Sequence, residues 1–106
     1  MVTSRIRILT HITARPHREL ELRNLLLPLV AQRCRKVGCS RCDLLQHQMH
    51  STHFVLVEEW EIEARLQSGL NPQDWAKVFE EGVGCIVELP SVNWYEIVAP
   101  SDNQGH

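Results

Sequence analysis

Six histidines and four cysteines carry most of the latent chemistry in this 106-residue chain. His11 stands within an alternating run, Arg5 to Thr13, on its less apolar parity. Histidine titrates nearest neutral pH of all side chains, which makes His11 the natural candidate for a general base. A single strand histidine is more often structural, at a sheet or subunit surface. His47, His50 and His53 form an HxxHxxH pattern around a short polar connection. Strand geometry scatters such residues over both faces, so solvated turn histidines outweigh a metal site there.

Cys39-Ser40-Arg41-Cys42 has the CxxC form used both for redox work and for zinc. Redox use wants the first cysteine at a helix N-terminus, where the dipole lowers its pKa. Here the motif follows Gly38, where a helix ends and a strand begins. Zinc needs two further ligands, with Cys34, His47, His50 and His53 the nearby candidates, and a second CxxC or an HxxxH is absent. Small buried thiols are the stronger reading, with metal and redox use beneath it, and no metal site is assigned. Glu58 and Glu59 are adjacent in an apolar run, so they point to opposite faces of a strand. One is expected to be buried against an arginine such as Arg5, Arg7 or Arg41. Paired-carboxylate catalysis needs two on one face, so a structural ion pair is the better reading.

These residues need elements to position them, and periodicity supplies the elements. Arg5 to Thr13 alternates and is β-branched, which means a strand. Pro16 suits the first turn of a helix, whose stripe runs Leu22, Leu25, Leu26, Leu29 and Val30, extended by Cys34 and Val37. Pro28 lies inside that helix and should bend it. Gly38 is the natural stop. Two strands follow, Cys39 to Met49 and Phe54 to Trp60, joined by a hairpin-length connection at His50 to His53. A short helical piece, Glu61 to Gln67, ends at Ser68-Gly69-Leu70-Asn71-Pro72. A second helix starts near Asp74 and carries Trp75, Val78, Phe79, Val83, Ile86 and Val87, although Gly82 and Gly84 weaken it and leave a strand at Cys85 to Leu89 open. Val92 to Val98 is the last strand.

The order strand, helix, strand, strand, helix, strand is the split βαβ pattern of α+β ferredoxin-like folds. It implies an antiparallel four-stranded sheet with both helices on one face. The other face, carrying residues such as Leu9 and Leu45, needs a partner surface, and a homodimer packing sheet on sheet supplies one. One domain over residues 1–98 is expected, with 99–106 a fraying polar tail. Eleven basic against thirteen acidic residues leave a net charge of −2, without the basic excess of a nucleic-acid binder. No apolar stretch approaches the ~20 residues of a membrane span, and the start MVTSRIRIL lacks a signal-peptide layout, so a cytoplasmic location is expected.

Several segments together resemble the antibiotic biosynthesis monooxygenase family, whose members are dimeric α/β barrels of similar length. They are Ala14-Arg15-Pro16, Leu25-Leu26-Leu27-Pro28-Leu29-Val30, Gly38-Cys39, Phe54-Val55-Leu56-Val57-Glu58-Glu59-Trp60, and Pro90-Ser91-Val92-Asn93-Trp94-Tyr95-Glu96. The chain departs from the family pattern at His17, where a glycine is common, and at Cys42, where a tyrosine is usual. It departs again at Gly69, where a histidine is usual. Haem-degrading relatives use a tryptophan and a histidine where this chain has Gly69 and Phe79, so the resemblance does not extend to haem degradation.

The resemblance implies a cofactor-independent monooxygenase that oxidises a small aromatic or quinol-type substrate with molecular oxygen. Such chemistry needs a base, a pocket that excludes water, and donors for the developing anion. His11 is the candidate base. Trp60, Trp75, Phe79 and Tyr95 are candidate substrate contacts, although aromatic residues at strand ends and helix faces are more often core. Two other classes remain beside it. One is an isomerase of the same fold acting on a small carbonyl compound, and the other is a non-catalytic ligand-binding dimer, which Gly69 favours.

Overall fold

The computed structural model describes residues 5–61, 78 and 80–99. Its elements are β1 (Arg5–Thr13), α1 (Glu19–Cys34), β2 (Cys39–Gln46), β3 (His53–Glu61) and β4 (Ser91–Glu96). The strands form one antiparallel sheet in the order β2-β3-β1-β4, the ferredoxin-like arrangement. Val78 and residues 80–82 are helical, and Val78 packs into the same core as α1. The expected helical piece at 62–67, the start of the second helix with Trp75, and Phe79 lie outside the described residues, as does most of the tail.

Strand parity divides the sheet into two faces. Ile8, Thr10, Ile12 and Ala14 of the β1 run and Phe54, Leu56, Glu58 and Trp60 of β3 are buried on the helix side. Leu22, Leu26 and Leu29 of α1 close over them. Arg7, Leu9, His11, Val55, Val57 and Leu45 take the opposite face, on which no described element packs. Leu45 is 52% exposed there, as its parity required.

α1 begins later than Pro16 suggested. Residues 15–18 form a turn closed by the Arg18 N–H donating to the Arg15 carbonyl at 3.0 Å. Pro16 fixes φ at the second position of that turn, and His17 follows with φ 68°. A left-handed residue cannot continue a right-handed helix, so the helix waits until Glu19. Glu19 and Glu21 then sit in the first turn, where the positive end of the helix favours carboxylates. The Glu19 carboxyl is held below the usual range by a backbone N–H at its own position and by the Ser51 hydroxyl, 2.9 Å away. That contact joins the start of α1 to the β2–β3 turn.

The stripe is also shorter than expected. α1 stops at Cys34, which is exposed, and Val37 beyond it is 83% exposed. Gly38 takes φ 92° and turns the chain into β2. The helix runs through Pro28 on its water-facing side. The carbonyl of Asn24 that loses a partner there faces solvent, which can satisfy it. Gly82 survives in a helical segment because a Cβ there would lie 3.1 Å from Leu25 and 3.2 Å from Ile86. Beyond it the possible strand at Cys85 to Leu89 reduces to a single bridge, Ala14 to Ile86.

A non-glycine residue in the left-handed region costs about 1 kcal/mol. His17→Gly should therefore raise stability by up to about that amount, seen as a higher urea midpoint with an unchanged denaturant slope.

Candidate active site

His11 lies in a row that crosses the open face of the sheet. The registers place Leu45 opposite Val55, Val55 opposite His11, and His11 opposite Ser91. Directly opposed side chains have Cβ atoms about 5 Å apart, so the imidazole stands between an apolar pair and a hydroxyl. One row further along, His53 pairs with Thr13. Together with His47 at the end of β2 these residues bound a cleft of about 450 Å³, a size that suits a small aromatic molecule. The walls are Leu45, Val55 and Thr13, and the imidazoles of His11, His47 and His53 supply its polarity.

The turn between β2 and β3 fixes these imidazoles locally. His47 Nδ1 accepts the backbone N–H groups of Met49 and His50, each at 3.0 Å. An acceptor nitrogen carries no proton, so neutral His47 keeps its proton on Nε2 and acts as a donor there. That arrangement opposes metal ligation through Nε2, and no metal-binding group of three side chains occurs among the described residues. The rings of His47, His50 and His53 pack against one another at 4.8 to 6.1 Å between centroids. HxxHxxH is thus a histidine-packed turn, and two of its three members reach the cleft.

The other candidate contacts are placed elsewhere. Trp60 is fully buried on the helix face, across the sheet from His11. Tyr95 shares the open face but pairs with Arg7, four residues along from the row of His11. At about 3.3 Å per residue that separation is about 13 Å, too far for a shared small ligand. Trp75, Phe79 and Gly69 lie outside the described residues.

Beneath the sheet lies the buried glutamate that the adjacent pair implies; it is Glu58, and its partner is Arg33 rather than Arg5, Arg7 or Arg41. The Arg33 Nε donates to Glu58 Oε2 at 2.5 Å, and the Trp60 indole N–H donates to the same oxygen at 3.1 Å. Both charged side chains are fully buried. The Arg33 guanidinium also lies 5.8 Å from the centroid of the Trp60 ring. The other carboxylate oxygen, Oε1, is buried with no hydrogen-bond partner among the described residues. Glu59, on the open face, takes two of the arginines expected for the buried glutamate: Arg7 at 2.7 Å and Arg5 at 3.3 Å. The Arg7 hydrogen bond, then Ser40 and the two positive charges, hold the Glu59 carboxyl below its usual range against a smaller effect of burial.

Solved structures share this fold. PA3566 from Pseudomonas aeruginosa superposes with a TM-score of 0.80 at 22% identity, covering 93% of this chain and 99% of its own. A "putative antibiotic biosynthesis monooxygenase" from Deinococcus radiodurans gives 0.77 at 16% identity, over 94% and 99%. Another protein so named, from Bordetella bronchiseptica, gives 0.67 at 22% identity, over 91% and 99%. No family model and no curated protein matches the sequence. The class defined is therefore a ferredoxin-like α+β domain with the fold of proteins carrying that monooxygenase name. Among the described residues no helix is long and apolar enough to cross a membrane.

Two predictions follow from the ion pairs. Glu58→Leu deprives a buried guanidinium of its carboxylate and should cost about 3–5 kcal/mol, while Arg33→Met with Glu58→Leu should recover most of that loss in urea titrations. Glu59 has a lowered native pKa, so its stabilisation is full above the unfolded carboxylate range and is lost as pH falls through the native value. Glu59→Gln should destabilise by about 1 kcal/mol or less at neutral pH, because both arginines are half in water. The gap to wild type should narrow as pH falls below the unfolded carboxylate range, measured by denaturation at neutral and at acid pH.

Proposed function

We propose that the chain belongs to the antibiotic biosynthesis monooxygenases and oxidises a small aromatic or quinol-type substrate with molecular oxygen, without a cofactor. The observation that carries this reading is the cleft at His11, where a basic side chain stands among aliphatic walls on a sheet face that no described element covers. The shared fold and the family-like segments support it.

In this reading two copies pack their open faces together. Leu9, Leu45, Val55 and Val57 leave water, and the second sheet roofs the cleft. His11 takes the proton from a phenolic or quinol hydroxyl. The resulting anion is electron-rich enough to pass an electron to oxygen directly, so the protein's tasks are proton removal, water exclusion and anion stabilisation. The His47 Nε2–H is a donor for the developing oxyanion. Trp60 acts from below, as the anchor of Glu58, and the charged pairs at Glu59 lie at the far end of the face, outside the reacting region.

Oxygen consumption by chelator-treated protein, with a panel of hydroquinones and polycyclic phenols, tests this. Uptake that depends on protein, survives metal removal and falls about a hundredfold or more in His11→Ala is the expected result, a hundredfold being the low end for loss of a general base. Uptake indifferent to the substitution keeps the enzyme and discards His11 as its base. Thermal stabilisation by a phenol with no uptake anywhere in the panel would instead mark a ligand-binding dimer. Leu45→Arg puts a charge into the apolar face and should halve the mass measured by light scattering if the open faces form the dimer.

A further inference from the structure

A second recess lies at the other end of β2, away from the histidine cleft. It has a volume of about 280 Å³ and is lined by Cys34, Cys39, Ser40, Arg41, Cys42 and Asp43. Three of the four cysteines thus converge on one opening. They do so because the pairing of β2 with β3 shifts register between Cys39 and Arg41. Cys39 opposes Trp60 and Cys42 opposes Glu58, so a three-residue spacing spans two partner positions and both thiols fall on the helix face. α1 ends at that face with Cys34 as its last residue.

The contacts within the group are unequal. The Cys34 thiol lies 3.4 Å from the Cys42 carbonyl oxygen, to which it donates, and both cysteines line the same recess. The Cys39 thiol is turned to the Arg41 carbonyl, also at 3.4 Å. Cys39 and Cys42 stand side by side on one strand with parallel Cβ vectors, about 7 Å apart, at the edge of what a disulfide can span. Cys34 and Cys42 face each other from different elements. Cys34 is exposed, Cys42 is buried, and no metal-binding group of three side chains occurs among the described residues.

We propose that Cys34 and Cys42 are a dithiol site that a low-molecular-weight disulfide of the glutathione type oxidises to an intramolecular disulfide. The exposed Cys34 thiolate attacks one sulfur of the small disulfide. A bond forms between that sulfur and Cys34, and the first small thiol leaves. The Cys42 thiol then gives up its proton and attacks the Cys34 sulfur, expelling the second small thiol. In sum two protein thiols become one disulfide while one small disulfide becomes two small thiols. Cys42 is the slower partner, because burial first, and then the Glu58 charge, hold its thiol in the protonated form. The same two causes push Cys39 up to about 11. Cys85 is buried in the core among Leu22, Leu26 and Ile86 and takes no part.

The full chain is incubated with oxidised glutathione, its remaining thiols are alkylated, and its peptides are mapped by mass spectrometry without reduction. The expected product joins the Cys34 peptide to the Cys42 peptide, with Cys39 and Cys85 alkylated. Cys39→Ser should leave this cross-link intact. Cys34→Ser, at an exposed position that leaves the core untouched, should abolish it, and Cys42→Ser should instead accumulate glutathione on Cys34. Four alkylated cysteines after oxidation, a Cys39–Cys42 product, or bonds only between chains would each overturn the proposal.

Discussion

A carboxylate and a guanidinium, both removed from water, fix how the helix layer meets the sheet. Glu58 projects from the middle of β3 into the core, and Arg33 reaches it from the last turn of α1. Burying either charge alone costs several kcal/mol, so any register of α1 that separates them is penalised far more than a change in aliphatic packing. Leucine contacts at Leu22, Leu26 and Leu29 tolerate small slides, whereas the single Glu58 oxygen shared by Arg33 and Trp60 does not. The pair therefore acts less as a source of net stability than as a register pin. Everything near the end of α1, including the meeting of Cys34 with β2, inherits its position from it.

How much of this could be read from residues alone depended on whether the pattern was one of parity or of partnership. β1 alternates cleanly, so its bounds and the face of His11 were legible. β3 is apolar on both parities, with Val55 and Val57 on one side and Phe54 and Leu56 on the other. That density identifies a strand but conceals which face is buried, which is why Trp60 reads as a pocket wall when it is a core anchor. Arg33 was hidden for a related reason. It occupies the fourth place in the series 22, 26, 29, 33, while a stripe drawn through apolar residues alone passes to Cys34 instead. A charged residue in helical phase with three buried leucines, in a chain with a glutamate inside an apolar strand, is the signal that finds the pair.

Turn chemistry accounts for the remaining differences. A proline before a helical stripe reads as a first-turn residue, and only the conformation of the following residue separates that case from a preceding turn. His17 in a left-handed conformation settles it, and this is the position where the resembling family commonly has glycine. In the same way, a spacing of three along a strand reads as opposite faces until a bulge is known. The shift at Ser40 puts Cys39 and Cys42 on one side, and spacing alone cannot reveal it.

The two regions with chemical potential share one edge strand and lie at its opposite ends. Cys39 to Cys42 meet α1 at the beginning of β2, while Leu45 and His47 meet β1 and β3 at its end. An edge strand is held by neighbours on one side only, so its ends are free to differ in rigidity. The first end is tied to the helix layer by sulfur contacts beside the buried pair. The second is tied to β3 and, through the histidine-packed turn, to the start of α1 by the Ser51–Glu19 hydrogen bond. A covalent link at the first end would stiffen the strand from its root without touching the open face, whereas docking of a second sheet acts on the other end directly. The architecture thus separates what can be modified from what can bind, and β2 is the element through which one could bear on the other.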